Sequence, residues 1–181
     1  MLFLHPIMGL KSIIANSILN SKLSSFVREK KVFNLDSAKS AGVLWELNQK
    51  ESYDQLQMEL SNAGIKTTSL CYFHFWKTVI PEEIIGFSRR QTNWLTEIPN
   101  IALTEDFIHQ KFDLLIDLTG QKHLPIVYIT ALSEATFKIG YAGNTQNYFD
   151  LNIDFPTAPD TKQLTEQILY YLKRINKTTI E

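Results

Sequence analysis

The sequence predicts an α/β protein with a Rossmann-like three-layer sandwich, in which a mostly parallel sheet lies between helices and an amphipathic helix precedes it. Three observations support this class: a strand, helix and strand succession over residues 41–73, an almost wholly apolar strand at 112–120, and an amphipathic helix after Asp160. A chain of 181 residues with 44% hydrophobic and 20% charged side chains can bury the core that this soluble fold requires.

The first 40 residues are predicted to form a helical extension, and residues 41–181 a single Rossmann-like domain. Apolar side chains three and four positions apart over residues 10–27 indicate an amphipathic helix. The extension is basic, with six Lys or Arg against two Asp or Glu. This helix either covers the domain or contacts a partner protein or an anionic membrane surface. The side chains predicted to make such a contact are Leu10, Ile14, Ile18 and Phe26.

The domain begins with a predicted βαβ unit. Residues 41–47 form an apolar run typical of a buried strand, and residues 65–73 are rich in Ile, Thr and aromatic side chains. Between them, Leu56 and Leu60 share one helical face, and Gly64 stands where a helix would end. A strand, a helix and a second strand within residues 41–73 favour two parallel strands that are joined by a crossover connection.

The second half of the chain continues the alternation of strands and helices. Residues 112–120 are apolar almost throughout and predict a central strand, parallel to the strand at residues 41–47 and beside it. Pro125 suits the first turn of a helix, and Asp160 can cap the last one. The other predicted elements are strands at 84–88, 137–141 and 148–155 and helices at 104–110 and 124–135.

Ligands of open parallel sheets bind beyond the carboxyl ends of the strands, where loops and helix N-termini converge. Seven residues at these positions are the predicted ligand-binding residues, and no catalytic residue is assigned: Glu46, Asn48, Tyr72, His74, Asp117, Thr119 and Gly120. Asp117 precedes a Thr-Gly turn, so its carboxylate could orient a hydroxyl or a cation. The more ordinary interpretation is that Asp117 caps that turn.

The sequence lacks the motifs of several classes of function. The glycines form neither GxGxxG nor a P-loop, and no GxSxG or HExxH motif occurs. The histidines lack metal-ligand spacing and are interpreted as surface or turn residues, so no metal and no cofactor is predicted: His5, His74, His109 and His123. A net charge of −1, with no basic patch beside the aromatic residues 72–76, argues against nucleic acid.

The compartment is inferred from two further features. Cys71 is the only cysteine and lies in an apolar run, so it is interpreted as a core thiol in a reducing compartment, which favours the cytoplasm. No stretch has the roughly 20 apolar residues that a membrane-spanning helix needs, so no transmembrane segment is predicted.

Three segments carry a resemblance to a known family: AGVLWELNQKESYDQL, FDLLIDLTGQKHLPIVYITALSEATFKIGYAG and FVREKKVFNLDSAKS. Through them the chain resembles a family of small Bacteroidota proteins that is defined only as a domain of unknown function. The stretch from FDLLIDLTG to FKIGY is also similar, more faintly, to the N-terminal Rossmann-like half of heptosyltransferase-type glycosyltransferases.

From this combination we expect a binding or interaction module without a recognisable catalytic centre. The fold is intact on this interpretation, but no reaction centre accompanies it. The alternative is a small or degenerate glycosyltransferase-like enzyme that acts on a sugar or nucleotide derivative. Whether the protein is an enzyme stays open at this point, although the missing motifs favour a binding role.

Overall fold

The computed structural model describes residues 5–75, 80–120, 122–143 and 146–175, with side chains from residue 11 onward. Within these residues the strands are β1 (Ser40–Glu46), β2 (Lys66–Phe73), β3 (Gly86–Ser88), β4 (Leu114–Asp117), β5 (Phe137–Gly140) and β6 (Leu151–Asn152). The α-helices are α1 (His5–Leu23), α2 (Lys50–Asn62), α3 (Ala102–His109), α4 (Leu124–Leu132) and α5 (Thr161–Arg174).

The six described strands form one parallel sheet in the order β3-β2-β1-β4-β5-β6. The chain builds outwards from β1 to β3 and then crosses back, so that β4 pairs with the other side of β1. Ala41 pairs with Leu114 and Leu44 with Asp117, which confirms that these two strands are adjacent and parallel. The strand order reverses between β1 and β4, the position where many open α/β sheets bind ligands. The predicted Rossmann-like class is confirmed.

Helices cover both faces of the sheet. Helices α2 and α5 bury their apolar side chains on the face to which Trp45 points, and α1, α3 and α4 lie on the face of Leu44. Because alternate residues of a strand point to opposite faces, Glu46 projects on the same side as Leu44. Tyr72 at the end of β2 also belongs to this second face. The ends of β1 and β2 therefore present their polar side chains towards α4.

Helix α1 packs on the second face, where Ala15 and Leu19 are buried. Among the predicted contact residues, Ile14, Ile18 and Phe26 are half-buried, and the side chain of Leu10 lies outside the described residues. The helix ends at Leu23 rather than at the predicted residue 27. The hydroxyl groups of two following serines, Ser24 and Ser25, donate to carbonyl oxygens of the last turn, which favours an end at this point. No helix among the described residues is long and apolar enough to cross a membrane.

Strand β6 is much shorter than the strand predicted over residues 148–155. Only Leu151 and Asn152 pair with β5. On either side of this pairing, Asp150 accepts the backbone N–H of Lys138 at 2.9 Å and Asn152 accepts that of Ala142 at 2.8 Å. These side-chain oxygens accept N–H groups that backbone carbonyls of a longer strand would otherwise accept. The alternating polar and apolar residues at 148–155 therefore belong to a short edge strand whose side chains bond to the backbone on and beside β5.

Candidate functional site

A cavity of about 420 Å³ opens at the carboxyl ends of β1 and β2, in front of the N-terminus of α4. We call it the carboxyl-edge pocket. Glu46 and Tyr72 are register partners on the two strands, so their side chains stand side by side at its base. The pocket is lined by Glu46, Leu47, Asn48, Tyr72, Phe73, His74, Phe75 and His123.

Gln49 fixes the end of β1 and closes the crevice between β1 and β4. Its Oε1 accepts the backbone N–H of Glu46 at 2.9 Å, while its Nε2 donates to the carbonyl of Leu118 at 2.9 Å and to Oγ1 of Thr161 at 3.1 Å. The buried side chain therefore links β1 to the residue after β4 and to the start of α5. The space open to a ligand lies on the β2 side of β1.

Glu46 carries the negative charge of the pocket. Its Oε1 lies 3.2 Å from Nε2 of His123, and the two side chains are only 16% and 21% exposed. Although the atoms are close, this oxygen is buried and makes no aligned hydrogen bond with the described residues. A buried carboxylate oxygen without a donor is costly, and a ligand that donates to it would recover that free energy.

His123 is held by a stack of rings. As the N-cap residue of α4, it lies face to face with His74 at 4.3 Å between ring centroids, with 26° between the planes. The ring of Tyr72 lies 5.3 Å from that of His123. Desolvation, and then the neighbouring His123 and Arg89, lower the pKa of His74, which favours the neutral form of its imidazole.

The mouth of the pocket is apolar and open. Phe75 is 75% exposed and Leu47 is 43% exposed, and both line the opening together with the exposed amide of Asn48. The described lining contains neither Lys nor Arg. In its described part, the pocket therefore combines ring surfaces with one carboxylate and has no Lys or Arg side chain.

Of the seven predicted site residues, four meet in this pocket: Glu46, Asn48, Tyr72 and His74. Asp117 lies elsewhere and has no exposed surface. It accepts the N–H and the hydroxyl of Thr119 at 2.8 and 2.7 Å and the hydroxyl of Thr130 at 3.1 Å. Burial raises the pKa of Asp117 to about 6, and the hydrogen bonds from Thr119 and Thr130 oppose that rise. This is the arrangement of a turn cap.

Thr119 and Gly120 belong to that turn. Thr119 is buried beside Asp117, and Gly120 has φ of 68°, in the left-handed region that favours glycine. Both residues therefore shape the turn after β4. A role for Asp117, Thr119 and Gly120 in ligand binding stays a prediction.

Four residues of the pocket lining were not among the predicted site residues: Leu47, Phe73, Phe75 and His123. His123 was interpreted as a surface or turn residue, but it is the N-cap of α4 and contacts Glu46. A signal was available, since Pro125 places the start of a helix directly after His123 and after a central strand. In the part of the chain that the structure describes, no three His, Cys, Asp or Glu side chains are grouped to hold a metal ion.

The sheet order and the pocket define a class: a doubly wound, Rossmann-like α/β protein with a cavity at the carboxyl ends of its strands. The chain belongs to the family of unknown function DUF6913, whose model matches residues 11–175. No curated protein and no solved structure matches the chain. The resemblance to a family of unknown function is thus confirmed, while the Bacteroidota lineage and the likeness to glycosyltransferases stay predictions.

Proposed function

We propose that the protein is a binding module that holds a small organic molecule in the carboxyl-edge pocket. The observation that carries this proposal is the buried Oε1 of Glu46, which lacks an aligned donor at the base of an open, ring-lined cavity of about 420 Å³. Ligand pockets of proteins have this volume and this combination of apolar walls with few polar groups.

The ionisable groups beside the pocket favour binding over covalent chemistry. Burial raises the pKa values of the Cys71 thiol and the Tyr72 hydroxyl, each to about 12. Both groups are therefore protonated at neutral pH, when a nucleophile would have to be ionised. A cytoplasmic, reducing setting belongs to this proposal, because Cys71 is the chain's single cysteine and its thiol is free and buried.

The enzyme alternative, with a sugar or nucleotide derivative as substrate, has less support. Diphosphate groups are held by glycine-rich backbone turns, by helix N-termini and by Lys and Arg side chains. The described pocket lining contains no Gly, Lys or Arg, and Glu46, which lies beside the N-cap residue of α4, would repel a phosphate there. The interaction alternative through α1 also has less support, since Ala15 and Leu19 are buried against the rest of this chain.

The proposal is tested with neutral aromatic probes, benzyl alcohol and indole, and with UDP-glucose as the probe for the enzyme alternative. The imidazole signals of His74 and His123 are followed by NMR during each titration. We expect saturable shifts with benzyl alcohol or indole at millimolar concentration, and none with UDP-glucose.

A pair of variants locates the binding. Asn48→Trp places an indole at the pocket mouth and should abolish the shifts, whereas Glu51→Trp adds the same group on an exposed position of α2 outside the lining. Shifts that survive in Asn48→Trp, or the absence of shifts in the parent protein with every aromatic probe, neutral or charged, would overturn the proposal. Saturable shifts from UDP-glucose alone would establish the nucleotide-sugar alternative instead.

A further inference from the structure

The described side chains that line the carboxyl-edge pocket include a negative charge but no Lys or Arg. Glu46 is the only carboxylate in the described lining, and no described lining residue is Lys or Arg. The nearby Arg89 is held in an ion pair with Glu97, so its charge is already matched. Among the described lining residues, the pocket therefore offers a ligand one negative charge that no Lys or Arg side chain neutralises.

The walls add a second preference for positive charge. Tyr72, His74 and His123 present ring faces or edges within a few ångströms of one another, and Phe75 stands at the mouth, with its ring 5.6 Å from that of His74. The faces of aromatic rings attract cations, and organic ammonium groups are bound in cages of such rings. A carboxylate at the base of such a cage would reinforce that attraction.

Hydrogen-bond geometry points to the same class of ligand. Oε1 of Glu46 and Nε2 of His123 are 3.2 Å apart, but no aligned hydrogen bond joins them. A primary ammonium group has three donors and no acceptor. Placed at the base of the pocket, it can donate to the buried Oε1 of Glu46, the oxygen that the described residues leave without an aligned donor, and its positive charge then lies beside the carboxylate.

We infer that the pocket selects small organic cations, in which a primary ammonium group lies against Glu46 and His123 and an attached flat apolar group packs on the rings. This inference rests on the proposed function and specifies its ligand class. A ligand with a carboxylate or phosphate at that position would place like charges together in a half-buried site, which is unfavourable.

The test uses three probes with the same benzene ring: benzylamine, benzyl alcohol and benzoate. Affinities are measured by NMR titration at pH 7.5, at low salt and at 150 mM salt. We expect benzylamine, protonated at this pH, to bind about tenfold more tightly than benzyl alcohol, and benzoate to bind most weakly. The ratio between the affinities of benzylamine and benzyl alcohol should decrease at the higher salt concentration, because salt screens the attraction between charges.

Two matched variants assign the selectivity to Glu46. Glu46→Gln keeps the shape of the side chain and removes its charge, so it should lose most of the tenfold preference for benzylamine and keep only the part that the rings supply. Glu51→Gln makes the same change on the exposed surface of α2 and should keep the tenfold preference. Unchanged melting temperatures would show that both variants fold.

The outcomes separate the inference from the proposed function. Equal affinities of benzylamine and benzyl alcohol in the parent protein would overturn the cation selectivity and leave the binding proposal standing. Tightest binding of benzoate would likewise overturn the selectivity. If none of the three probes binds, both the inference and the proposed function fail.

Discussion

The carboxyl-edge pocket and a cleft at the opposite edge of the sheet have nearly equal volumes, about 420 and about 410 Å³, but their charged groups are satisfied to different extents. The opposite cleft contains Arg28, Lys138 and Asp150, which we call the amino-edge cluster. Arg28 donates to both carboxylate oxygens of Asp150 at 2.6 Å and to the carbonyl groups of Ala135 and Thr136. Glu46, by contrast, has a buried oxygen with no aligned donor.

Lys138 completes the contrast. Its Nζ donates to the carbonyl oxygens of Thr130 and Ala131 at 2.7 and 3.0 Å, and the ring of Phe26 lies 5.5 Å from it. The amino-edge cluster thus uses its polar groups to hold the segment after α1 and the end of α4 against the sheet. Cavity volume alone therefore does not identify a ligand site, because what matters is which polar atoms still lack a partner.

The largest expected effect is at Arg28. Arg28→Met should lower the free energy of unfolding by about 3 kcal/mol, because it leaves the carboxylate of Asp150 half-buried without its main partner. The side chains of Arg28 and Asp150 are only 7% and 14% exposed, so solvent screens their attraction weakly. Urea denaturation measures the change.

Lys30 provides the control for that substitution. It also approaches Asp150, at 3.6 Å, but its side chain is 70% exposed. Lys30→Met should therefore change the free energy of unfolding by less than about 0.5 kcal/mol. Equal losses in the two variants would contradict the structural role that we give to Arg28.

A smaller effect of opposite sign is expected at Lys138. Burial, and then the charge of Arg28, lower the pKa of Lys138 to about 7, while the unfolded chain keeps the ordinary value of 10.5. Between these pH values the unfolded state binds more protons than the native state, so this group makes stability rise as pH increases from about 7 to about 10. Lys138→Met should remove that rise and increase the free energy of unfolding at pH 7 by about 1 kcal/mol.

Denaturation curves of the parent protein and of Lys138→Met, recorded at pH 7 and pH 10, test this prediction. The difference between the two proteins should shrink, or change sign, at the higher pH. A Met variant that is less stable at pH 7 would show that the hydrogen bonds from Nζ to the end of α4 outweigh the cost of the buried charge.

The smallest effect on stability is expected at Glu46. Glu46→Gln should change the free energy of unfolding by less than about 0.5 kcal/mol, because the bond from the backbone N–H of residue 46 to Oε1 of Gln49 stays in place. The substitution also removes a charge whose buried Oε1 has no aligned donor among the described residues. Thermal unfolding without any probe measures this. A loss as large as that of Arg28→Met would mean that the carboxylate serves the fold rather than a ligand.

Much of the fold could be predicted because the information is local. The apolar runs of β1 and β4, the helical spacing of α2 and the capping position of Asp160 each depend on residues close in sequence. Asp160 indeed accepts the N–H of Gln163 at 2.7 Å at the start of α5. The position of β6 was predicted but not its length, because the side chains of Asp150 and Asn152 bond to β5 and its flank, which are distant enough in sequence to escape a periodicity argument.

The candidate site was only partly predictable. The carboxyl ends of parallel strands meet at one edge of the sheet. This rule predicted four residues of the pocket as site residues: Glu46, Asn48, Tyr72 and His74. The same rule also predicts Asp117, which is buried and accepts hydrogen bonds from Thr119 and from Thr130 on α4. The bond from Thr119 is local and fits the turn cap that the sequence already suggested. The burial of Asp117 and its bond from Thr130 depend on where α4 packs, which the sequence does not give.

The sequence by itself determined the α/β class, the parallel direction of β1 and β4, and the edge of the sheet where polar groups gather, because strand and helix periodicities and crossover geometry are properties of short segments. Only the tertiary structure decided that Gln49 closes the crevice between β1 and β4, that His123 reaches Glu46, and that the open space lies beside β2. The contacts of Gln49 with Leu118 and of Glu46 with His123 join residues that are 69 and 77 positions apart in the sequence. A contact over such a distance exists only after the layers have packed, and the packing selects which polar atoms keep a partner and which are left for a ligand.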